Sequence, residues 1–209
     1  LYVGDELGGT PALGEQEQVN TYTSGEQVNP AIGKLADGGY VIAWISNGQD
    51  GSGWGVHAQR FSAAGVAVGP EMQVNTATYG EQSYPQVAGL SDGGYVIVWQ
   101  DNGSADSSGW GVFGQRFGAD GSLAGGQFVV NTTTLGSQLY QAVASYTGGF
   151  AVAWSADGNV SGGNGHDIYL TRFDNAGNIV GTPEMRVSVN PGTTDAQSGY
   201  QYMPRIAAR

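Results

Sequence analysis

The chain repeats itself about every 55 residues, and this repetition constrains its fold more than any other feature. Three tryptophans inside apolar runs are spaced 55 residues apart: Trp44, Trp99 and Trp154. Three arginines in Gln-Arg-Phe-like runs are spaced 56 apart: Arg60, Arg116 and Arg172. Four Val-Asn runs end at intervals of 55, 56 and 59: Asn20, Asn75, Asn131 and Asn190. Because three independent markers agree on the period, we interpret the chain as copies of one supersecondary unit.

The second copy of the repeat contains four strand signals separated by polar or glycine-rich turns. They are strand A at Pro85–Leu90, strand B at Tyr95–Trp99, strand C at Trp110–Phe117 and strand D at Gln127–Asn131. The turn at 91–94 reads Ser-Asp-Gly-Gly, whose glycines accept the positive φ of a tight hairpin. No segment sustains an apolar period of 3.6 residues, so we expect almost no helix.

Strand B is apolar on both of its faces, which is typical of a strand that lies between packed sheets. Tyr95, Ile97 and Trp99 alternate with Val96 and Val98 along it. Four antiparallel strands per repeat, packed face to face with the next repeat, describe a blade of a β-propeller. The sequence therefore predicts an all-β chain with a propeller architecture.

The copies form a single repeat domain over residues 1–209. Whole repeats cover about 26–75, 81–131 and 137–190, and partial repeats cover 1–20 and 200–209. The partial copies supply C and D strands at one end and an A strand at the other, which predicts four blades with the last blade shared between the termini. That blade lacks a B strand, so two alternatives stay open: a fragment of a longer array, or a threefold fold such as a β-trefoil or β-prism.

Composition excludes several classes of partner and site. The formal net charge of −11 argues against binding to nucleic acid and to anionic membrane surfaces. The absence of cysteine excludes disulfides, thiolate metal sites and cysteine nucleophiles. The longest apolar run, Tyr40–Ile45, is too short to span a bilayer, so we expect no membrane insertion. The first residue is leucine and no signal peptide precedes it, so we expect a processed product or a fragment.

Three motifs of the second copy resemble a known repeat type: Asp92-Gly-Gly-Tyr-Val-Ile-Val-Trp99, Ser108-Gly-Trp-Gly-Val-Phe-Gly-Gln-Arg-Phe117 and Val130-Asn-Thr132. They resemble the tandem repeats of large secreted bacterial proteins of the adhesin and RTX kind, copy by copy over nearly the whole chain. The resemblance implies an exported or cell-surface protein, often multidomain, associated with adhesion and often with calcium. The chain departs from the pattern in its first 15 residues and at Tyr146-Thr-Gly-Gly149, where the turn aspartate is missing.

The loops between strands B and C are the most polar part of each repeat and are our candidate calcium sites. Calcium takes six to eight oxygen ligands from carboxylates, amides and carbonyls on flexible loops. The loops offer such groups beside glycines, and the candidate ligands are Asp50, Asp101, Asp106, Asp157 and Asp167. The alternative interpretation is a solvated, Asx-rich loop without an ion.

An aromatic residue follows each of these loops: Trp54, Trp110 and Tyr169. An exposed ring beside Asp and Asn side chains is a common way to hold a sugar, so these three residues are candidate ligand-binding positions. The alternative is that each ring covers the end of the neighbouring blade. Repetition favours this alternative, because every copy must solve the same packing problem.

The sequence offers little support for catalysis. The two histidines, His57 and His166, fall at different places in their repeats, and His57 takes a position that is aromatic in the other copies. No zinc-protease, nucleophile-elbow or phosphate-loop motif occurs, although two glycosidase carboxylates could lie anywhere among 18 acidic residues. The repeated arginines are expected to pair with carboxylates or loop carbonyls of their own or the next blade. Catalytic sites on a propeller normally interrupt the repeat, and this repeat is nearly uniform outside its loops, so we predict that the protein is not an enzyme.

These observations predict a secreted or cell-surface binding module. It would be non-catalytic and would present its polar loops for calcium-assisted recognition of a glycan or a protein surface. The alternative is a structural building block that self-associates into oligomers or fibres by strand pairing at the incomplete blade. A glycan-active enzyme is the third and least favoured hypothesis.

Overall fold

A computed structural model describes residues 17–103, 109–157, 166–187 and 203–207 of the chain. These residues form strands, turns and irregular connections, with no helix among them. Within the same ranges there is consequently no helix with the length and apolarity needed to cross a membrane.

Within these ranges, twelve strands form three antiparallel sheets of four strands each, and the order of the strands across each sheet follows the chain. The first sheet contains β1 (Gln27–Lys34), β2 (Tyr40–Asn47), β3 (Trp54–Phe61) and β4 (Ala67–Gln73). The second contains β5 (Gln82–Gly89), β6 (Tyr95–Asp101), β7 (Gly111–Phe117) and β8 (Phe128–Val129). The third contains β9 (Gln138–Tyr146), β10 (Gly149–Asp157), β11 (His166–Asp174) and β12 (Met185–Arg186).

The first strands of the three sheets converge. Strand β5 packs against β1, β2 and β3, and β9 packs against β5, β6 and β7, so β1, β5 and β9 are the inner strands. Consecutive four-stranded antiparallel sheets that pack face to face around their first strands make a propeller-like fold. This arrangement confirms the predicted all-β class and the four-stranded repeat.

The hairpin between the first two strands of a sheet is set by an aspartate and a glycine. In the second sheet, Asp92 Oδ1 accepts a hydrogen bond from the Gly94 backbone nitrogen at 3.0 Å, and Gly93 has a φ of +92°. Asp37 makes the same bond in the first sheet. The third sheet lacks this aspartate, and there the Tyr146 hydroxyl donates a bond to the Phe173 carbonyl at 2.8 Å. A different side chain therefore braces the same turn.

The middle strands form the core, as the doubly apolar pattern predicted. All seven residues of β6 are buried. Tyr95, Ile97 and Trp99 belong to the cluster shared with the first sheet, whereas Val96 and Val98 belong to the cluster shared with the third. Burial of each large apolar side chain contributes roughly 1.5–3 kcal/mol. The face-to-face contacts of these sheets therefore supply most of the hydrophobic stabilisation.

Two glycines let the inner strands of the first two sheets approach closely. A Cβ atom at Gly33 would lie 2.6 Å from Cγ1 of Val87, and one at Gly89 would overlap the Lys34 carbonyl oxygen. Larger residues at these positions would push β1 and β5 apart, so the close convergence of the inner strands requires glycine there.

The asparagine of the recurring Val-Asn run joins neighbouring sheets through side-chain hydrogen bonds, and we call such a set of bonds a clasp. Asn75 Oδ1 accepts a hydrogen bond from the Val56 backbone nitrogen at 2.8 Å, and its Nδ2 donates to Gln82 Oε1 of the next sheet at 3.0 Å. Asn131 makes the equivalent bonds with Val112 and Gln138, at 2.8 and 3.1 Å. Because these groups are buried, each asparagine satisfies polar atoms that would otherwise be costly.

The threonine that follows each asparagine forms a second clasp. Its backbone nitrogen and hydroxyl donate hydrogen bonds to a side chain in or next to the fourth strand of the following sheet. The backbone nitrogen and the hydroxyl of Thr76 both donate to Gln127 Oε1, at 3.0 and 3.1 Å. Thr132 bonds Glu184 in the same way, and Thr21 bonds Glu71. Residues 17–21 therefore occupy the place that the other copies give to the end of an outer strand.

Some strand bounds differ from the sequence prediction. Strand β5 begins at Gln82 and not at Pro85, because Gln82 and Ser83 still pair with β6 before a bulge at the proline. Strand β8 is only Phe128–Val129, shorter than the predicted strand D. The number of blades and the extents of the partial repeats stay predictions, since residues 1–16 and 188–202 lie outside the described ranges.

Candidate functional site: the axial cleft

Each inner strand carries a bulge at the same place in the repeat. The register with the neighbouring strand shifts between Val28 and Ala31 in β1 and between Ser83 and Gln86 in β5. In the third sheet the shift falls opposite Ala153 to Ser155. Bulges re-aim side chains and are often found next to functional sites. The bulged end of the inner strands is therefore where a site is most expected.

One residue in each bulge holds a positive φ although it is not glycine. In the three bulges these residues are Asn29 (55°), Tyr84 (53°) and Tyr140 (56°), and Met203 (52°) in the segment at 203–207 has a similar φ. The left-handed region costs a residue with a Cβ about 1–2 kcal/mol. Strain of this kind persists only where the surrounding structure enforces it, and it concentrates at ligand sites.

The strained residues of the second and third inner strands line a cleft with the segment at 203–207. Its volume is about 230 Å³. The side chains that offer contacts are Tyr84, Gln86, Tyr140, Gln141, Met203 and Arg205, and Ala142 and Pro204 complete the wall. We call this feature the axial cleft, because it lies where the inner strands converge.

The two tyrosine rings form one corner of the axial cleft. The ring centroids of Tyr84 and Tyr140 lie 6.2 Å apart with an interplanar angle of 68°, which is an edge-to-face pair. Tyr84 remains 47% exposed and Met203 60% exposed. The corner thus presents aromatic and thioether surface to solvent in a position fixed by the backbone.

Hydrogen bonds fix the tyrosines in place. The Tyr140 backbone nitrogen donates to Gln100 Oε1 at 3.2 Å, and the buried Gln141 side chain donates through Nε2 to the Tyr84 carbonyl. Gln100 breaks the repeat, because Ile45 and Ser155 occupy the equivalent positions. This break is the one sequence signal that could have pointed to the cleft.

Taken together, the lining provides aromatic surface, amide groups and one guanidinium. Aromatic rings take apolar surface, while amides both donate and accept hydrogen bonds. Pockets for small organic ligands combine apolar walls with a few fixed polar groups in this way. The eight lining residues include no carboxyl group, so this part of the chain carries binding chemistry and no acid–base pair.

The structure does not gather the predicted calcium ligands. Asp50 Oδ1 accepts from the Ser52 backbone nitrogen at 3.0 Å, Asp101 Oδ1 accepts from the Gly103 nitrogen at 2.6 Å, and Asp167 pairs with Arg186 at 2.9 Å. Burial raises the pKa of Asp101. Asp157 ends β10, and Asp106 lies outside the described residues. No three acidic or histidine side chains within the described ranges are grouped to hold a metal ion.

Calcium binding by these loops stays a prediction. Thermal unfolding with a chelator, and again with added calcium, tests it, because a bound ion would raise the free energy of unfolding.

The predicted ligand-binding aromatics serve packing in the described structure. Tyr169 is 5% exposed and stacks on Trp154, with ring centroids 6.2 Å apart. Trp54 is half-buried against the first core cluster, and Trp110 is also half-buried. A buried ring offers no face to a sugar, so at Tyr169 the blade-covering alternative is the one that the structure favours.

Two of the three repeated arginines have the kind of partner that the repeat pattern predicted. Arg60 pairs with Asp37 of its own sheet at 2.6 Å, and Arg116 donates to the Ala176 carbonyl in the next sheet. These contacts are structural, and neither places a guanidinium toward the axial cleft.

His57 is a buried histidine in an aromatic position. It pairs with Trp44 across β2 and β3, where the other sheets place Phe113 beside Trp99 and Tyr169 beside Trp154. Burial lowers its pKa below the ordinary value of 6.5, although Glu71 and Asp50 oppose the shift. The neutral imidazole is therefore the form that the folded protein favours.

Comparison with known proteins gives only structural likeness. No protein-family model and no curated protein matches the sequence. A solved protein of unknown function from Dyadobacter fermentans is similar over 79% of this chain and 56% of its own, with 13% identity and a TM-score of 0.50. An α-L-arabinofuranosidase from Lactobacillus brevis matches 78% of this chain and 55% of its own, with 12% identity and a TM-score of 0.48.

A thermostable family-43 glycoside hydrolase is similar over 78% of this chain and 54% of its own, with 13% identity and a TM-score of 0.48. The chain thus spans about half the length of these solved structures. Identities of 12–13% concern the fold and do not establish a shared activity.

These comparisons correct two of our predictions. We expected a non-catalytic adhesion module and no enzyme, partly because the repeat is so uniform. Two of the structures that resemble this chain are, by name, an α-L-arabinofuranosidase and a family-43 glycoside hydrolase, which contradicts both expectations but assigns no activity to this chain. A uniform set of four-stranded sheets is not an argument against catalysis.

Proposed function

We propose that this chain belongs to a carbohydrate-active propeller and that its axial cleft binds a saccharide. The observation that carries the proposal is the pair of strained tyrosines, Tyr84 and Tyr140, whose rings face a cleft bordered by two glutamines and an arginine. Backbone strain that recurs in each inner strand is unfavourable for folding, so a ligand contact is the most direct reason for it.

The chemistry of the lining suits a sugar ring. One face of a pyranose or furanose carries C–H groups that pack on an aromatic ring, while its hydroxyls need donors and acceptors around the edge. Tyr84 and Tyr140 supply the rings, and the side-chain amides of Gln86 and Gln141 border them. The names of the arabinofuranosidase and the family-43 hydrolase concern glycans, which agrees with this class of ligand but adds no weight at such low similarity.

We also propose that a fourth sheet, shared between the two ends of the described chain, completes the ring. Two observations support it: residues 17–21 clasp the first sheet as an outer strand would, and Met203 repeats the inner-strand strain. This sheet would place Met203 and Asn29 on neighbouring inner strands. The chain lacks cysteine, so an Asn29→Cys and Met203→Cys pair can be cross-linked selectively with a short bis-maleimide. Failure to cross-link within one chain would favour a longer array.

Export from the cell, which the repeat resemblance implies, stays a prediction. Fractionation of the native host with an antibody against the chain tests it.

The test of the saccharide cleft is calorimetric titration of the protein with short oligosaccharides, together with measurement of reducing sugar released. We expect saturable binding that weakens by at least about tenfold in Tyr84→Ala and in Tyr140→Ala, because each change removes a stacking face. Released sugar would add hydrolysis to the proposed function, and its absence would leave a binding site.

The matched control is Tyr79→Ala. Tyr79 is 76% exposed and does not line the cleft, so its loss should leave the affinity unchanged. If the Tyr79 variant loses as much affinity as the Tyr84 variant, the saccharide binds elsewhere and the proposal fails.

A further inference from the structure

We infer that the saccharide of the axial cleft is anionic, a glycan that carries uronic-acid carboxylates, and that Arg205 binds its carboxylate. This inference rests on the proposed function, since it names the charge class of the ligand for the same site.

Arg205 is the positively charged residue among those that line the cleft. The chain has only seven lysine and arginine residues against 18 acidic ones. Within the described ranges the ion pairs are Arg60 with Asp37 and Arg186 with Asp167. Arg205 lines the cleft with an exposed side chain and belongs to neither pair. Among the described residues, Arg205 is therefore a cation that lies at the candidate site outside both ion pairs.

The residues around Arg205 in the cleft are uncharged. The other lining residues are aromatic, aliphatic, thioether or amide, and none of them carries a negative charge. The protein has a net charge of −11, so the average charge of its surface is negative. The described wall of the cleft has one cation and no carboxylate, so its charge is positive. The local field of the cleft therefore favours a negative group within a Debye length, about 10 Å at moderate salt.

The guanidinium and the tyrosine rings suit different parts of one sugar residue. A guanidinium binds a carboxylate through two parallel N–H···O bonds, and this pairing is stronger than a bond to a neutral hydroxyl. A uronic acid presents that carboxylate at the rim of a sugar ring whose face can still lie on tyrosine. Tyr84, Tyr140 and Arg205 therefore match the two parts of a uronate residue, its C–H face and its charged edge.

The competing possibility is that Arg205 donates to hydroxyls of a neutral sugar. Two trisaccharides separate these cases: tri-galacturonate and the matching neutral galactose trimer, which differ only in the carboxylate at C6. Each is titrated calorimetrically into wild type, Arg205→Gln and Arg205→Lys at low and high salt. Lys34→Gln is the control, because it removes one exposed positive charge that does not line the cleft.

We expect wild type to bind the uronate at least about tenfold more tightly than the neutral trimer, with the preference shrinking as salt rises. Arg205→Gln should abolish the preference by weakening uronate binding far more than neutral binding, Arg205→Lys should retain part of the preference, and Lys34→Gln should retain all of it.

Equal binding of the two trimers to wild type would overturn this inference and leave the saccharide cleft standing. A preference that survives in Arg205→Gln would overturn the role of Arg205. If neither trimer nor any neutral oligosaccharide binds, the proposed function itself fails.

Discussion

At the scale of single residues, the cleft depends on side chains held in an unfavourable backbone conformation. Tyr84 adopts a φ of 53° directly before Pro85, although a residue before proline ordinarily prefers an extended conformation. Asn29 and Met203 also precede prolines. We predicted that strand A begins at the proline, and this prediction missed the bulge. The recurring X-Pro pair was visible, but nothing in it predicted a positive φ.

This strain predicts a specific ranking of two variants. Tyr84→Gly should be more stable than Tyr84→Ala by about 1 kcal/mol, because glycine accepts a positive φ and alanine does not. Both variants should lose saccharide affinity equally, since both lack the ring. Urea unfolding measures the first quantity and calorimetry the second. Greater stability of the alanine variant would show that Tyr84 is not strained.

His57 predicts a pH dependence of stability. Because the folded-state pKa lies below 6.5, the unfolded chain takes up a proton first as the pH falls. The stability contribution of the neutral imidazole is therefore complete above about pH 6.5 and is lost as the pH drops below it. His57→Phe should lose less stability than wild type between about pH 7.5 and about pH 5.5.

We chose phenylalanine to replace His57 because Phe113 occupies the equivalent position in the second sheet. Glu71, whose pKa is lowered by its hydrogen bonds to Gln49 and Thr21 despite partial burial, titrates below this window. Urea midpoints at the two pH values measure the effect. If wild type and His57→Phe lose the same free energy of unfolding between the two pH values, the pH dependence does not come from His57.

At the scale of elements, the strands were predictable where the pattern was strongly apolar and unpredictable where pairing was short or irregular. Strand β6 was predicted from its doubly apolar run and lies buried on both faces. Strand β8 is shorter than predicted, because after it a single backbone bond, from the Val130 nitrogen to the Val112 carbonyl at 2.8 Å, and then the polar clasps hold the chain. The threonine clasps join residues 50 to 52 positions apart, and no local pattern reveals such a pairing.

The clasps should contribute measurably to stability. Asn131→Ala leaves the Val112 backbone nitrogen and Gln138 Oε1 without their partner in a buried site, so we expect a loss of about 1–3 kcal/mol. Asn178→Ala, at an exposed turn, should cost no more than about 0.5 kcal/mol. Denaturant unfolding compares the two, and equal losses would mean that the clasp is energetically unimportant.

At the scale of the whole molecule, the repeat predicted the propeller-like arrangement of four-stranded sheets, since one period and four strand signals leave few architectures. It did not predict the axial cleft, because that cleft forms between inner strands about 56 residues apart in sequence and the segment at 203–207. The prediction of a non-catalytic module failed for a related reason: we treated uniformity as a sign of a passive module and overlooked departures from the repeat such as Gln100, which bonds Tyr140 in the cleft.

The central claim is that a saccharide binds between the two strained tyrosines, and a crystal structure with bound tri-galacturonate tests it most directly. Our account predicts a sugar ring in van der Waals contact, within about 4.5 Å, of Tyr84 or Tyr140, with its carboxylate on Arg205. Electron density for the sugar at Trp54 or Trp110, with an empty axial cleft, would contradict it.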